Sequence, residues 1–197
     1  MADATMRGLD TTDLLSLETV NTLAQDGYSF VIKYCANTPT FPNKRFSHVE
    51  AAAIHNAGMK CGFVFEMGNT SPYFISEQGS KDAASVLAYF EALGVPEGVT
   101  AFAAYDYDGS PSEVTDYAES FHAGMIESGY FAGCYGSGNV CSHLIGAGFS
   151  HYGWLAQSRG WGGYESFLPY ADIVQGMGSV LNLSADPDTA KSLAAFW

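Results

Sequence analysis

Short apolar runs of β character alternate with longer helix-compatible segments along this chain, and four of the runs end in a carboxylate. They are Arg7-Gly8-Leu9-Asp10, Phe63-Val64-Phe65-Glu66, Ala104-Tyr105-Asp106 and, one step on, Tyr107-Asp108. The alternation predicts βα units and a parallel sheet. An acid at the end of a buried strand loses hydration, so it persists where something requires it. Closing such units into a barrel brings their strand ends to one rim, where (β/α)-barrels place their chemistry.

The punctuation supports about eight strands. The first is read at residues 7–9, and Thr11-Thr12-Asp13 is read as the cap of a helix to Gln25, with Leu14, Leu15, Leu17, Val20 and Leu23 as its apolar face. Strands are expected at 28–34, 59–65, 99–105 and 130–135. Ser47-His48-Val49-Glu50 has the form of a capping box opening a second helix. Further helices are expected at 80–93, stopped by Gly94-Val95-Pro96, from Ser110-Pro111 to 128, and at 139–147. Residues 152–156, 171–175 and 180–183 read as short strands too closely spaced for full helices, with a last helix at 188–196. The expected fold is therefore α/β, a TIM-like barrel with shortened or missing late helices, formed as one domain over residues 1–197. An open doubly wound sheet is the runner-up. It is disfavoured because no GxGxxG follows the first strand, and the glycines at 133, 136 and 138 lack the Lys-Ser/Thr of a phosphate loop.

Composition narrows the partners. Eight Lys and Arg against 21 Asp and Glu give a net charge of −13, which repels nucleic acid and anionic membrane surfaces alike. No apolar run reaches the roughly 20 residues of a membrane span, and residues 1–7 show no basic segment followed by an apolar one. Four cysteines without a CxxC do not make a disulfide scaffold, although Cys134 and Cys141 are close enough in sequence to close a small loop. The 12 Tyr and 13 Phe serve either barrel packing or sugar stacking, and the two uses are compatible.

A barrel brings Asp10, Glu66, Asp106 and Asp108 to one face as candidate catalytic acids. Side chains alternate along a strand, so Asp106 and Asp108 share a direction. Two close acids resist ionising together, and a pair split into proton donor and anion suits cleavage of a glycosidic bond. Lys33, Tyr34, Tyr135, Gln157, Arg159 and Gln175 are expected at the same rim, suited to sugar hydroxyls and rings, with Trp154 and Trp161 as a platform. The reading calls for no cofactor and no metal. The five histidines fall on helices and late loops, and a carboxylate-only Mg²⁺ or Ca²⁺ site is the metal alternative.

Gly8-Leu9-Asp10-Thr11, Phe30-Val31-Ile32-Lys33-Tyr34, Val64-Phe65-Glu66, Gly79 with Asp82-Ala83, Ala104-Tyr105-Asp106-Tyr107-Asp108, Gly133-Cys134-Tyr135-Gly136 and Gln175 occur in this order. The set resembles the DUF1906 glycoside hydrolase-like domain family, related to the GH25 lysozymes of the Chalaropsis type. The resemblance implies a TIM-like barrel and a glycan substrate, peptidoglycan foremost. In those lysozymes an acid ends the first strand and an Asp-x-Glu pair ends the fourth, the Glu being the proton donor. The resemblance sets Asp10, Asp106 and Asp108 in those places, with Asp in place of the donor Glu. Glu66, expected on the neighbouring part of the rim, offers a substitute, so the expected roles are Glu66 or Asp108 as general acid, Asp106 as the anionic partner and Asp10 as a positioning group. The competing expectation is a barrel that binds wall glycan without cutting it, as a module of a phage or secretion apparatus.

Overall fold

A computed structural model describes residues 5–197; the expectation for the extreme N-terminus falls largely on residues outside these. Eight strands close a barrel in sequence order: β1 Met6–Thr11, β2 Tyr28–Tyr34, β3 Lys60–Phe65, β4 Thr100–Ala104, β5 Phe131–Gly136, β6 Tyr152–Leu155, β7 Ile173–Gln175 and β8 Ala185–Ala190. Neighbours from β1 to β7 pair in parallel, whereas β8 runs antiparallel to both β7 and β1. The TIM-like expectation holds, and the missing late helix has its reason in that reversal. An antiparallel strand needs no crossover helix, so the short segment between β7 and β8 closes the barrel.

Helices α1 Leu17–Gln25, α2 His48–Asn56, α3 Ser76–Leu93, α4 Thr115–Glu127, α5 Gly138–Gly146 and the single turn α6 Tyr164–Phe167 cover the outside. The capping box at Ser47 and Glu50 forms as expected, and Gly94 ends α3 at φ 79° in the left-handed region open to glycine. The first helix differs from expectation. Ser16 caps it, and Leu14 and Leu17 are exposed, because Leu15 turns inward and the Asp13 carboxylate accepts the Ser184 N–H instead of capping. Residues 180–183, expected as a strand, make a tight turn bridged at Val180 and Leu183, and the strand Ala185–Ala190 takes residues 188–190 from the start of the expected last helix.

Alternation divides the core in two. On β2, Val31 faces the helices while Phe30, Ile32 and Tyr34 point into the barrel. The barrel's N-terminal end is filled by the chain's last residues. Phe196 packs 4.7 Å from Phe30, and Cys61 and Trp197 exchange two backbone hydrogen bonds. Gly62 makes room for this plug, since a Cβ there would lie 2.5 Å from the Phe196 ring. With one end sealed by rings, the polar interior groups gather at the opposite, C-terminal end of the parallel strands. Among the described residues no helix is long and apolar enough to cross a membrane, and all four cysteines are buried thiols, Cys134 and Cys141 included.

Candidate active site

The rim at the C-terminal ends of β1–β7 encloses a cleft of about 190 Å³. Each strand contributes the inward residue at its end: Asp10 from β1, Tyr34 from β2, Tyr135 from β5, Trp154 from β6 and Gln175 from β7. Glu66 follows β3 directly, Asp106 lies two positions past the end of β4, Gln157 follows β6, and Asp186 comes from the start of β8. Seven of the ten rim residues expected from sequence therefore meet here.

Three do not, each for a physical reason. Lys33 is one position before Tyr34, so alternation turns it outward; it is fully buried between barrel and helices, its ammonium 2.7 Å from Glu50. Asp108 is exposed outside the cleft and accepts the Gly162 N–H at 2.9 Å. Beyond the last pairing of β4 the chain no longer follows strand alternation, so the inward pair is Ala104 and Asp106 and not Asp106 and Asp108. Arg159 lies exposed past the cleft edge, and Trp161 does not line the cleft, so no tryptophan platform forms.

Sequence reading also missed three groups. Asp186 and Asp188, spaced by two, face inward from β8 because residues 185–190 are extended. The i, i+2 acids of Asp186-Pro187-Asp188 carried that signal. Lys44, from the long loop between β2 and α2, folds over the rim. Its Nζ is 2.8 Å from Glu66 Oε2 and 3.5 Å from the centroid of the Tyr34 ring.

Gln175 organises the floor. Its amide nitrogen donates to Asp10 Oδ2 at 2.8 Å and, at 3.4 Å, to Asp186 Oδ2, while its oxygen accepts from the Tyr135 hydroxyl at 2.8 Å. Below it the Trp154 indole donates to Asp188 Oδ1 at 2.9 Å. Burial pushes the Asp10 carboxyl up to about 7, reinforced by the charges of Asp186 and Glu66 and opposed by the hydrogen bond from Gln175. Burial, then the charge of Asp10, lifts Asp188 well above the usual carboxylate range. Asp106, exposed at the mouth, is raised by partial desolvation and by Glu66, opposed by Tyr135 and Lys44, and Asp186 is raised by burial, opposed by Gln157. Burial and the same carboxylates raise Tyr34 and Tyr135, which stay phenols able to donate. Among the described residues no three His, Cys, Asp or Glu side chains are disposed to hold a metal ion.

A closed barrel with carboxylates gathered at the C-terminal rim is the architecture of glycoside hydrolase-like domains, and the sequence comparisons agree. The Rv2525c-like, glycoside hydrolase-like domain matches residues 21–190, and the chain belongs to that family. It is 31% identical to the uncharacterized protein YbfG of Bacillus subtilis over 176 residues, which are 81% of this chain and 24% of that protein. The chain thus spans about a quarter of that relative's length. In fold it is similar to the crystal structure of the Mycobacterium tuberculosis Tat-secreted protein Rv2525c, with TM-score 0.79 and 16% identity over 94% of this chain and 95% of that one. It is also similar to the Clostridium perfringens spore cortex lytic enzyme SleM, with TM-score 0.63 and 11% identity over 98% of this chain and 69% of that one.

Proposed function

We propose that this domain hydrolyses glycosidic bonds in peptidoglycan or a related glycan, with Asp106 as general acid and Glu66 as its anionic partner. The observation that carries the reading is the inequality of these two acids on neighbouring strands. Glu66 is ion-paired with Lys44, whereas Asp106, exposed at the cleft mouth and not in contact with that ammonium, is raised by partial desolvation and by the Glu66 charge against the opposing pull of Tyr135 and Lys44. Environments that separate two carboxyl groups in this way divide proton donor from anion. Asp106 gives its proton to the glycosidic oxygen as the bond to the anomeric carbon breaks. The Glu66 carboxylate faces the positive charge that develops on the sugar, and Asp10, fixed by Gln175, adds to that field. Water then adds to the anomeric carbon and its proton returns to the carboxylate cluster. The fold shared with a spore cortex lytic enzyme supports a wall glycan as substrate.

The test is release of reducing ends from purified peptidoglycan. Asp106→Asn should lower the rate by roughly a hundredfold or more, since a positioned general acid supplies about that much. The wild-type rate should fall as pH rises through the raised carboxyl value of Asp106. Undiminished release by Asp106→Asn would overturn the assignment. Binding of the glycan without any release would instead identify a module that holds the wall but does not cut it.

A further inference from the structure

Asp106 stands past the last pairing of β4, so the sheet itself does not hold it. What holds it lies behind the cleft. The residues on either side of it, Tyr105 and Tyr107, both pack on Phe74, with ring centroids 5.1 and 5.6 Å away. Phe74 and Tyr105 in turn meet the Tyr117 ring of α4 edge-on, at 5.2 and 5.9 Å. The segment after β3 joins the same cluster. Gly68, just past Glu66, lies so close under the Tyr73 ring that a Cβ there would run into it.

Both halves of this cluster are tied to one atom. The hydroxyls of Tyr73 and Tyr117 donate to Asp82 Oδ2 at 2.7 and 2.8 Å, and Gln78 Nε2 donates to Oδ1 at 2.7 Å. Asp82, on α3, is 3% exposed, and no Lys or Arg among the described residues pairs with it. Gly79, on the same face of α3, lets α4 come close enough, because a Cβ there would collide with the Tyr117 carbonyl. Burial foremost, with Asp82 contributing, raises both phenols, so each keeps the proton it donates. Joining two helices does not call for a buried carboxyl group without a cation, since apolar side chains of like shape do that about as well. Two hydroxyls converging on one oxygen do something more, because hydrogen bonds fix direction as well as distance.

Resting on the hydrolytic reading above, we propose that Asp82 is a positioning residue that sets the separation of Glu66 and Asp106, through Tyr73 on one side and Tyr117 with Phe74 on the other. Asp82 does not line the cleft, so it acts only through these rings. Two acids work as a glycosidase pair at a defined spacing, which decides whether a sugar alone or a sugar and a water fit between them. A misplacement of about 1 Å can cost on the order of a hundredfold in rate. The charge of Glu66 reaches Asp106 across the cleft, and like charges push each other apart. A strut behind both segments resists that drift.

The separation can be read without catalysis. Carboxyl-carbon NMR titration should show the Asp106 midpoint fall when Glu66→Gln is made in the wild type. Made in Asp82→Asn, the same substitution should move it by about half as much or less, because the acids have drifted apart. Comparing the shift within each background cancels any direct field of Asp82. Should Asp82→Asn not fold, Tyr73→Phe takes its place, since it keeps the ring and removes one leg of the strut. In reducing-end release from peptidoglycan, either variant should lower kcat about tenfold or more with KM within about twofold. Tyr130→Phe is the structural control. It removes a hydrogen bond to the Val95 carbonyl, 2.9 Å long and at the far end of the barrel, and should leave the titration and kcat unchanged. An equal effect of Glu66→Gln in both backgrounds would overturn the inference, whatever the rates, and leave the hydrolytic reading standing. A halved effect in a protein whose wild type releases nothing would sustain the strut and remove the hydrolytic reading.

Discussion

Lys33 and Tyr34 are neighbours on β2, yet they open onto two opposite ways of burying charge. Outside the barrel, the Lys33 ammonium meets Glu50 at 2.7 Å and also donates to the carbonyls of Asp13 and Asn43. Glu50 in turn accepts the backbone N–H groups of Leu15 and Ser47. Every charge there has an answering group, and the cluster ties the β1–α1 loop, β2 and α2 together. Inside the barrel, beyond Tyr34, Asp10 and Asp188 are buried against each other and near Asp186, with donors only from Gln175 and Trp154. A compensated buried pair serves architecture, whereas carboxyl groups pressed together without a cation, and held toward their neutral form, are the pattern of a functional site.

The largest effect that would break this comparison is on stability. Glu50→Ala leaves Lys33 charged, buried and unpaired, and should cost about 3–5 kcal/mol in urea denaturation. A loss under about 1 kcal/mol would show that the outer cluster is not the tie described.

The second effect has the opposite sign. Asp188→Asn keeps the acceptor for Trp154 and removes a buried acid facing Asp10, so at pH 8 it should stabilise the protein, on the order of 1–3 kcal/mol. The pH dependence sharpens the contrast. Asp10 rises from its ordinary 3.8 to about 7, so the folded protein binds more protons than the unfolded chain between those values. Its contribution is therefore intact at low pH and lost as pH rises through about 7. Although burial opposes it, the hydrogen bond from Lys33 lowers Glu50 below its ordinary 4.5, and its contribution is lost as pH falls through that region. Melting curves from pH 4 to 8 should show the high-pH decline flattened in Asp188→Asn, and an unchanged slope would refute the mutual influence of Asp10 and Asp188.

The smallest effect tests the cleft's edge. Arg159→Ala should change glycan affinity by less than about twofold, because the side chain lies outside the cleft. A tenfold loss would extend the binding surface past Gln157.

Much of the site was legible along the chain. Asp10, Glu66 and Asp106 stood out because each ends an apolar run, and Tyr34, Tyr135 and Gln175 because each ends a strand. Lys33 went astray because a strand end offers two adjacent residues, and only the sheet's pleat decides which one faces inward. Asp108 was drawn in by extending the β4 alternation past the point where the chain leaves the sheet. Lys44 was invisible, since a loop residue twenty-two positions from Glu66 announces no contact with it.

What the order of residues determined is local: the capping box at Ser47, the stop at Gly94, and the βα alternation whose strands carry acids at their ends. Each depends on groups within a few positions of one another, where backbone geometry and hydrogen bonding act directly. Tertiary structure alone decided that β8 runs backward and brings Asp186 and Asp188 under the cleft. It also decided that Phe196 and Trp197 plug the far end, and that Lys44 folds over the rim to meet Glu66. Those outcomes follow from closing the barrel, because burial and field are sums over groups that the chain keeps far apart.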